Sequence, residues 1–493
     1  MNTSIAAGLD SMPLNDDSHW PSDYDARLVA SATVRTLLVE DVVTGAVGPG
    51  AAVSAECLDD GRRWRVRLDR SLRWSDGAHL SAEHVVRSAE RAAPHPRAGL
   101  HALLDRRRAA VAVDDEVVEI GFARPVGFAP ALLTLPQLAP SRTPNTRLGD
   151  VSLGDFRLVG RTDRTLTLHR QPHAVDRDDA VRAIEFRCFD DIATALAAFD
   201  RGELDLSPTT SFRVEDVARY RGHEGFCARD ISIFGCLEFG KRAPGLRADA
   251  DARAALGFAL DRHRLARAVG GLLSPAFGHS GAWPDGPADE VPAPVPPTPD
   301  QVRALRAALG PRVSVGYSDF TPNGDVVAGL CDQLGELLGV EAEPRRLSYE
   351  EYVRAVVRED FALLYTLTTA DFPHPASVLL PWRGGGAQAR RAGLADAELD
   401  RRVDLACAEV DPVAARRAWR HVDDRWLALM PRVPLARVRS HSVQRGVGGY
   451  AVSSAGIVPF DDLSARHAGE ARHAHEACEA RQAPALAGKE PHS

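Results

Sequence analysis

The chain has 493 residues, of which 44% are hydrophobic, so it is long enough for two or three compact units with large apolar cores. The 60 Lys and Arg residues and 68 Asp and Glu residues give a net charge of −8, which argues against a nucleic-acid-binding surface. No run of about eighteen apolar residues occurs, so we expect no membrane insertion. We also expect the protein to be a monomer.

The 7 cysteines are scattered and never form C-x-x-C, so the sequence predicts neither a zinc site nor a disulfide framework. We also expect no cofactor. Free thiols fit a reducing compartment. The first 25 residues lack a basic region, a long apolar stretch and a lipobox cysteine, which favours a cytoplasmic protein. The alternative is an extracytoplasmic protein whose leader is missing from this sequence.

The clearest local pattern lies in residues 64–91. Apolar and charged residues alternate from Trp64 to Leu68, as in a half-buried strand. A turn at Gly77 follows, because glycine adopts positive φ at no steric cost. Ser81 is then placed to cap a helix whose apolar residues recur at helical spacing. We therefore predict a strand, a turn and a helix in direct succession.

Later segments predict further strands and helices. Asp163-Arg164 separates two strands, Ala183 to Phe189 forms another, and a helix capped by Asp190 or Asp191 ends at Gly202. In the second half we predict a crossing strand at 231–240, one long helix at 249–269, and a helix from Thr298 to Gly310 after a proline-rich surface connection at 284–299. Strands 313–317, 340–347 and 361–368 then alternate with helices 325–338 and 349–359. This alternation indicates a doubly wound, largely parallel sheet.

Five motifs occur in an order that resembles one known family. They read WSDGAHLSAEHVVRS (74–88), LGDFRLV (153–159), ALAAFDRGELDL (195–206), DARAALGFALDR (251–262) and TADFPHP (369–375). In this order they resemble the family 5 solute-binding proteins, the peptide and nickel receptors of bacterial ABC importers. The resemblance implies an α/β protein with the type II periplasmic-binding-protein fold, in which a hinge joins two lobes and lobe one carries an extra subdomain.

The resemblance also implies a division of the chain. We expect lobe one to comprise residues 1–45 and 150–239, with a return at 436–465. Its variable subdomain would be residues 46–149, and lobe two residues 240–435. The tail at 466–493 is polar, and we expect it to be disordered. His473, His475, Glu476 and Cys478 could ligate a metal in principle, but this tail has no visible supporting shell, so we predict no metal site.

Ligands of open α/β sheets bind beyond the carboxyl ends of strands. The predicted strand 361–368 ends in the loop 369–375, whose two prolines hold it extended. Asp371 is therefore expected to face the cleft, where its carboxylate can pair with a ligand ammonium. In peptide-binding members the matching Asp pairs with the peptide α-amino group, so the resemblance implies the same role here. The alternative is an Asp that caps a local turn.

The resemblance implies ligand contacts around Asp371 as well, from Thr368, Thr369, Phe372, His374 and Tyr365. Thr368 stands where peptide binders often have Trp, His374 where they often have Asp or Glu, and Tyr365 where some place a carboxylate-binding Arg. These departures point away from an ordinary di- or tripeptide and towards another amine-bearing molecule.

Two further segments carry candidate ligand-binding residues. Trp382 and Arg383 precede three glycines, which indicates either a pocket wall with an anion-friendly backbone or a mobile surface loop. Tyr24 stands where the family has its first ligand-proximal loop.

Three functions are consistent with the sequence. The first is a solute-binding protein that closes over a small amine-containing ligand, peptide-like or amino-acid-derived, and delivers it to an ABC permease if exported. The second is a cytosolic biosynthetic enzyme on the same scaffold, using Asp371, His374 or Tyr365 for proton transfer, although no catalytic motif is found. The third is a cytosolic sensor, which we rank last because no helix-turn-helix segment precedes residue 20.

Overall fold

A computed structural model describes residues 4–42, 44–95, 99–143, 147–172, 174, 179–279, 283 and 291–465. The predictions for the tail at 466–493, including the four possible metal ligands, lie outside the described residues.

The strands, in chain order, are β1 (Ser4–Leu9), β2 (Leu38–Glu40), β3 (Val47–Pro49), β4 (Ala52–Leu58), β5 (Arg63–Leu68), β6 (Ala110–Ala112), β7 (Val117–Gly121), β8 (Phe156–Arg161), β9 (Thr165–Arg170), β10 (Ala183–Cys188), β11 (Phe226–Phe239), β12 (Leu273–Pro275), β13 (Arg312–Ser318), β14 (Glu341–Leu347), β15 (Leu363–Thr369), β16 (Arg432–Val443), β17 (Val447–Gly448) and β18 (Ser464–Ala465).

The α-helices are α1 (Tyr24–Thr33), α2 (Ala82–Ala92), α3 (Ala129–Leu132), α4 (Ile192–Asp200), α5 (Val214–Tyr220), α6 (Pro244–Ala248), α7 (Ala250–Ala259), α8 (Arg262–Ala268), α9 (Pro299–Leu309), α10 (Asn323–Leu338), α11 (Tyr349–Arg358), α12 (Ala376–Leu379), α13 (Ala387–Ala392), α14 (Ala397–Ala408) and α15 (Pro412–Leu429).

The first sheet has the strand order β1-β10-β9-β8, with β1 parallel to β10 and the other neighbours antiparallel. The strand β1 comes from the start of the chain, and the other three strands come from residues 156–188. The chain therefore leaves this sheet after β1 and returns to it at β8. Asp163-Arg164 lies in the turn between β8 and β9, as the sequence predicts. Helix α1 packs on the sheet through Leu28 and Val29.

The second sheet, β4-β5-β7-β6, is antiparallel. Along the chain, its strands come after β1 and before β8 of the first sheet. On β5 the side chains of Trp64, Val66 and Leu68 are buried and those between them face outward, which confirms the predicted strand. Gly77 has φ +84°, as the predicted turn requires. Helix α2 begins after Ser81, whose backbone N–H donates to His84 Nδ1 at 3.1 Å.

The third sheet has the order β12-β16-β11-β15-β13-β14 and differs from the predicted largely parallel arrangement. In this sheet of the described residues, the neighbours that pair parallel are β14 with β13 and β13 with β15. The pairs β15–β11, β11–β16 and β16–β12 are antiparallel, and β11 and β16 are the long strands through which the chain enters and leaves this sheet. Alternation of strands and helices predicts the parallel half correctly but does not reveal the direction of the two crossing strands.

The predicted single helix at 249–269 is wrong, since two helices, α7 and α8, occupy that segment. Leu260 is extended (ψ 128°), and the Asp261 side chain accepts the backbone N–H of Arg264 at 2.8 Å to cap α8. The Arg262 side chain is buried and donates to Pro434 O at 2.8 Å, which fixes the new direction of the chain. A local carboxylate cap and a distant backbone acceptor thus outweigh the helical periodicity.

The other predicted helices of this half occur within a few residues of their predicted bounds. Thr298 caps α9 and Gly310, at φ +77°, follows its last turn. The described part of the proline-rich connection, 291–298, has no regular structure and is mostly exposed. One hydrogen bond, from the N–H of Val295 to Phe258 O (2.9 Å), holds it to the surface.

Three groups of buried apolar side chains form the core. One lies between α1 and the first sheet. The second joins the second sheet and α2 to α12, α14 and α15, with Phe128 and Trp419 in edge-to-face contact at 6.0 Å. The third lies on the third sheet under α7, α8, α9 and α10. The second group therefore connects segments that are far apart in sequence, and the loop after β15 lies within it.

Candidate functional site

The loop 369–375 begins where β15 ends. The backbone N–H of Ala370 donates to Ser232 O (2.8 Å), which holds the loop against β11. The backbone N–H of Asp371 donates to Ser377 Oγ (2.7 Å) at the start of α12. These two bonds fix the main chain on both sides of Asp371, so its side chain is presented from a supported position at a strand end.

Asp371 faces a cavity of about 740 Å³. The cavity wall comes from the segment before and within α1, the end of α2 and the residues after it, the start of the short 3-10 helix Pro136–Leu138, β11, the loop after β15 and residue 455. Its lining residues are Asn15, Asp17, Trp20, Pro21, Ser22, Asp23, Tyr24, Arg27, Arg91, His95, Leu100, Leu135, Pro136, Gln137, Ile233, Thr369, Asp371, Phe372 and Ala455. This volume is within the range of about 300–1,000 Å³ that is common for small-molecule sites.

The Asp371 side chain is accessible from the cavity, yet protein surrounds the cavity closely. Desolvation by these walls raises the pKa of the Asp371 carboxyl above its ordinary value, and the positive charge of Arg27 opposes the rise. A carboxylate that is reachable but poorly hydrated gains more from a cationic partner than one in open water.

Tyr24 is part of the cavity lining, and its hydroxyl is engaged by other parts of the protein. The hydroxyl lies 2.6 Å from Thr209 Oγ1 and also donates to Gly456 O. Burial raises the pKa of this phenol, so it stays protonated. The hydroxyl of Tyr24 therefore joins α1 to the chain segments at 209 and 456.

Thr369 and Phe372 also line the cavity. The Phe372 ring is nearly parallel to that of Phe128, with centroids 5.9 Å apart, so it connects the cavity to the second group of core residues. Of the predicted ligand-binding residues, all of which the structure describes, Asp371, Thr369, Phe372 and Tyr24 are thus brought together at this cavity.

His374 and Tyr365 lie away from the cavity lining. His374 is 5% exposed, and its ring lies 4.4 Å from that of Trp283 and 5.4 Å from that of Trp419. Burial, reinforced by the positive Arg416, lowers the pKa of His374 to about 3. Tyr365 is 1% exposed in the third group of core residues, and its burial raises the pKa of the phenol.

Thr368, Trp382 and Arg383 are also placed elsewhere. Thr368 Oγ1 accepts a hydrogen bond from Arg432 Nη1 at 2.7 Å. The Trp382 ring is buried, with the Arg432 guanidinium 5.2 Å from its centroid. Arg383 forms a two-pronged ion pair with Asp404, at 2.7 and 2.8 Å. These contacts give the three residues roles in packing and in charge pairing within the fold.

Sequence reasoning missed several polar and aromatic residues of the cavity wall. Trp20 and His95 lie with their ring centroids 4.1 Å apart, and the Arg91 guanidinium is 5.7 Å from the Trp20 centroid. Gln137 Oε1 is buried and accepts no hydrogen bond from the described residues. Arg27 was also missed, although it lies three positions after Tyr24 and therefore on the same face of α1. The spacing of Tyr24 and Arg27 is therefore the sequence signal by which Arg27 could have been found.

Two other kinds of site were considered among the described residues. No helix there is both long and apolar enough to cross a membrane. No three His, Cys, Asp or Glu side chains in the described ranges are grouped as a metal site requires.

Residues 46–390 match the family model described as "Bacterial extracellular solute-binding proteins, family 5 Middle". The chain belongs to this family. The match includes the second sheet, the crossing strand β11 and the loop that carries Asp371.

Solved structures of related proteins show the same fold over nearly the whole chain. HbpA2 of Haemophilus parasuis has a TM-score of 0.78 at 16% identity, covering 94% of this chain and 100% of that one. OppA of Haemophilus influenzae, in complex with RPPGFSPFR, has a TM-score of 0.75 at 16% identity, covering 94% and 99%. This family 5 chain therefore has the type II periplasmic-binding-protein fold, with two lobes joined by a hinge, as the sequence resemblance predicts.

A curated relative is the probable deoxycholate-binding periplasmic protein YgiS of Escherichia coli (strain K12), which is 24% identical over 362 residues. The alignment covers 65% of this chain and 66% of YgiS, just under two thirds of that relative's length.

Proposed function

We propose that this family 5 protein captures a small amine-containing ligand, peptide-like or amino-acid-derived, in the cavity at Asp371. The observation that carries the proposal is the Asp371 carboxylate, which faces the cavity and accepts no hydrogen bond from the described residues. A ligand ammonium would supply a charge-assisted hydrogen bond to this group and favour its ionised form.

The rest of the wall supports a ligand with an apolar part. Trp20, Leu100, Leu135, Ile233 and Phe372 present apolar surface to the same cavity. Apolar walls with a few placed polar groups are typical of small-molecule sites, because the apolar area supplies affinity and the polar groups fix orientation. The structure of OppA of Haemophilus influenzae in complex with RPPGFSPFR is consistent with a peptide-like ligand, whereas YgiS is named a probable deoxycholate-binding protein.

We propose that the hinge is formed by β11 and β16. These strands pair antiparallel at Phe226 to Asp230 and again from Phe234 onward, but their register shifts between Asp230 and Phe234. The intervening Ser232 instead donates its N–H to Ser454 O at 2.7 Å. An interrupted ladder bends more easily than a continuous one, which suits a strand pair that joins two lobes.

With this hinge, the lobe boundaries expected from the sequence are our proposal for the domain organisation. Residues 1–45, 150–239 and 436–465 would form lobe one, 46–149 its subdomain, and 240–435 lobe two. The subdomain contacts lobe two through the N–H of Gly127, which donates to Cys407 O at 2.7 Å.

We further propose that the ligand is delivered to an ABC permease outside the cytoplasm. The family is described as extracellular and YgiS as periplasmic, which supports this location. The cytoplasmic location expected from the N-terminal sequence is the alternative proposal, and it is supported by the six described cysteines, none of which forms a disulfide with another described residue. Fractionation of the host cells separates the two.

Binding is better supported by the geometry than the enzymatic alternative. Of the three side chains that this alternative would use for proton transfer, only Asp371 lines the cavity. His374 and Tyr365 are buried in the core.

The test of the proposal is the affinity of an Asp371→Asn variant. Native mass spectrometry of protein from its own host identifies the compound that co-purifies, and calorimetry measures its Kd. Loss of a charge-assisted hydrogen bond costs about 1.5–3 kcal/mol, so we expect the Kd to rise about 10- to 150-fold. The control is Asp360→Asn, which removes an exposed carboxylate paired with Arg242 at 2.7 Å and should leave the Kd unchanged. Equal affinities of wild type and Asp371→Asn would contradict the assigned role.

A further inference from the structure

Residues 124–128 of the subdomain are anchored to the second sheet. The N–H of Val126 donates to Gly61 O at 3.0 Å, and its carbonyl accepts the indole N–H of Trp64, also at 3.0 Å. Trp64 lies on β5, and Gly61 comes just before that strand. Because both main-chain polar groups of Val126 are bonded there, the segment 124–128 moves with the subdomain.

The same segment is in direct contact with the end of α14 in the second half of the chain. The N–H of Gly127 donates to Cys407 O at 2.7 Å. The Arg124 guanidinium lies 3.8 Å from the Asp404 carboxylate. A Cβ added at Gly127 would lie 1.8 Å from Glu409 O, so the two main chains approach each other as closely as a glycine allows.

The next residue, Phe128, is inserted among three aromatic rings from this second half. Its ring is nearly parallel to that of Phe372, with centroids 5.9 Å apart, and stacks with that of His374 at 5.0 Å. The ring of Trp419 on α15 meets it edge to face at 6.0 Å. We call Phe372, His374 and Trp419 the aromatic pocket. Phe128 is 5% exposed, so its ring is almost completely removed from water.

The aromatic pocket shares one side chain with the ligand cavity. Phe372 lines the cavity as well as stacking on Phe128, whereas Phe128 is not among the described lining residues. A movement of Phe128 out of the aromatic pocket would therefore change the surroundings of Phe372 without removing a lining residue.

We propose that Phe128 and the aromatic pocket form a latch, which holds the subdomain against lobe two and has to open when the lobes separate. The proposal concerns the motion and not the ligand, and it rests on the proposed hinge and lobe boundaries. Opening the latch exposes the Phe128 ring and its three aromatic partners to water, which disfavours the open form. The latch thus sets the ratio of closed to open protein. It thereby tunes the apparent affinity, since only the closed fraction has a complete cavity.

The first experiment measures the open fraction of the full chain without ligand. Dyes for single-molecule energy transfer are attached through unnatural amino acids at Ser54 on β4 and Ala304 on α9, which are both exposed. We expect Phe128→Ala to raise the ratio of open to closed molecules at least about 10-fold, because the latch loses a buried ring and its aromatic contacts. Phe128→Leu keeps most of the apolar volume and should give a smaller increase.

The matched control is Phe258→Ala. Phe258 lies on α7 with its ring 5.0 Å from that of Phe277, so this aromatic pair is contained within lobe two. Its loss should lower Tm and leave the ratio of open to closed molecules unchanged. Thermal melts check that each variant is folded.

The second experiment is hydrogen exchange measured by mass spectrometry, and it works on the wild type. The N–H of Gly127 bonds across the latch, so opening of the latch should let it exchange at least about 10-fold faster than the β5 amides, with little dependence on urea. An amide that is exposed only by global unfolding would exchange together with β5 at every urea concentration. Phe128→Ala should accelerate exchange at Gly127 and not in β5, even where the open form is too rare for the dyes to detect.

The outcomes separate the latch from the hinge on which it rests. Two dye distances whose ratio is the same in wild type and Phe128→Ala overturn the latch and leave the hinge in place. Exchange at Gly127 that Phe128→Ala does not accelerate overturns the latch as well, as does a shift in Phe258→Ala as large as that in Phe128→Ala. A single dye distance in every variant, together with exchange at Gly127 that always follows β5, overturns the hinge itself.

Discussion

Replacing Asp155 by Asn tests how much a buried charge contributes to the first sheet. Asp155 lies just before β8 and is 6% exposed. Its carboxylate accepts Arg35 Nη1 at 2.8 Å and Arg170 Nη1 at 2.7 Å. The Arg170 side chain is only 4% exposed, whereas that of Arg35 is 25% exposed. Water can therefore solvate Arg35 much better than Arg170 once the Asp155 carboxylate is removed.

The expected cost follows mainly from Arg170. Removing one member of a buried ion pair costs about 3–5 kcal/mol, because the remaining charge is left uncompensated. Arg170 would keep hydrogen bonds to Val181 O (2.7 Å) and Asp461 O (3.0 Å) and its contact with the Phe156 ring (4.6 Å), which places the cost near the lower end, about 3 kcal/mol. Arg35 adds little, since a more exposed partner can be solvated.

Urea denaturation and calorimetric melts at pH 7 measure this cost. For a unit of 150–250 residues, a loss of about 3 kcal/mol lowers Tm by about 6–12 °C. The matched control is Asp190→Asn, which breaks an exposed pair with Arg164 (2.5 Å) and should change stability by no more than about 0.5 kcal/mol. If Asp155→Asn were as mild as this control, the buried pair could not be a main support of the first sheet.

Two further predictions concern the packing on either side of Phe128, namely the contact of Gly127 with Glu409 and the buried ring of His374 next to Phe128. Gly127→Ala should destabilise the protein by about 1–3 kcal/mol in urea denaturation, because the added Cβ would lie 1.8 Å from Glu409 O. The control is Gly222→Ala, where the added Cβ meets no atom within 4 Å and stability should not change. The pKa of buried His374 is lowered to about 3, so His374→Phe should reduce the decrease in unfolding free energy between pH 6.5 and about 4. Denaturation at several pH values measures this decrease.

The sign of the pH effect follows from proton uptake. Between about pH 3 and 6.5 the unfolded chain protonates this histidine and the folded chain does not, so acid favours the unfolded state. His374 Nδ1 also accepts the backbone N–H of Ala376 at 3.1 Å, a bond that protonation would break. An unchanged pH slope in His374→Phe would contradict this account, and equal stability of the two glycine variants would contradict the close contact at Gly127.

The sequence predicts features that depend on neighbouring residues. The strand at Trp64 to Leu68, the turn at Gly77 and the helix after Ser81 are determined within a short segment, and the structure has all three. The position of Asp371 directly after β15 follows equally from local order, because a strand followed by a proline-rich loop can only place it at the strand end.

Features that depend on distant partners could not be predicted in the same way. Arg27 reaches the cavity of Asp371 from a helix near the start of the chain, and no local pattern relates the two. Tyr365 and Thr369 lie on one strand, yet one is in the core and the other at the cavity, because the neighbouring elements decide what covers each position. The break between α7 and α8 likewise depends on the buried Arg262 and its acceptor on β16.

The hinge that we propose at the interrupted pairing of β11 and β16 has a mechanical consequence. The interruption ends at Ile233, which pairs with Thr369 on β15, and both residues line the cavity. When a body rotates about a pivot, points beside the pivot travel least and distant points travel most. A dye pair attached far from this point, one on the β4–β6 sheet and one on α9, would therefore convert a small angular change into a large optical signal. The same protein could thus serve as an optical reporter of its own ligand.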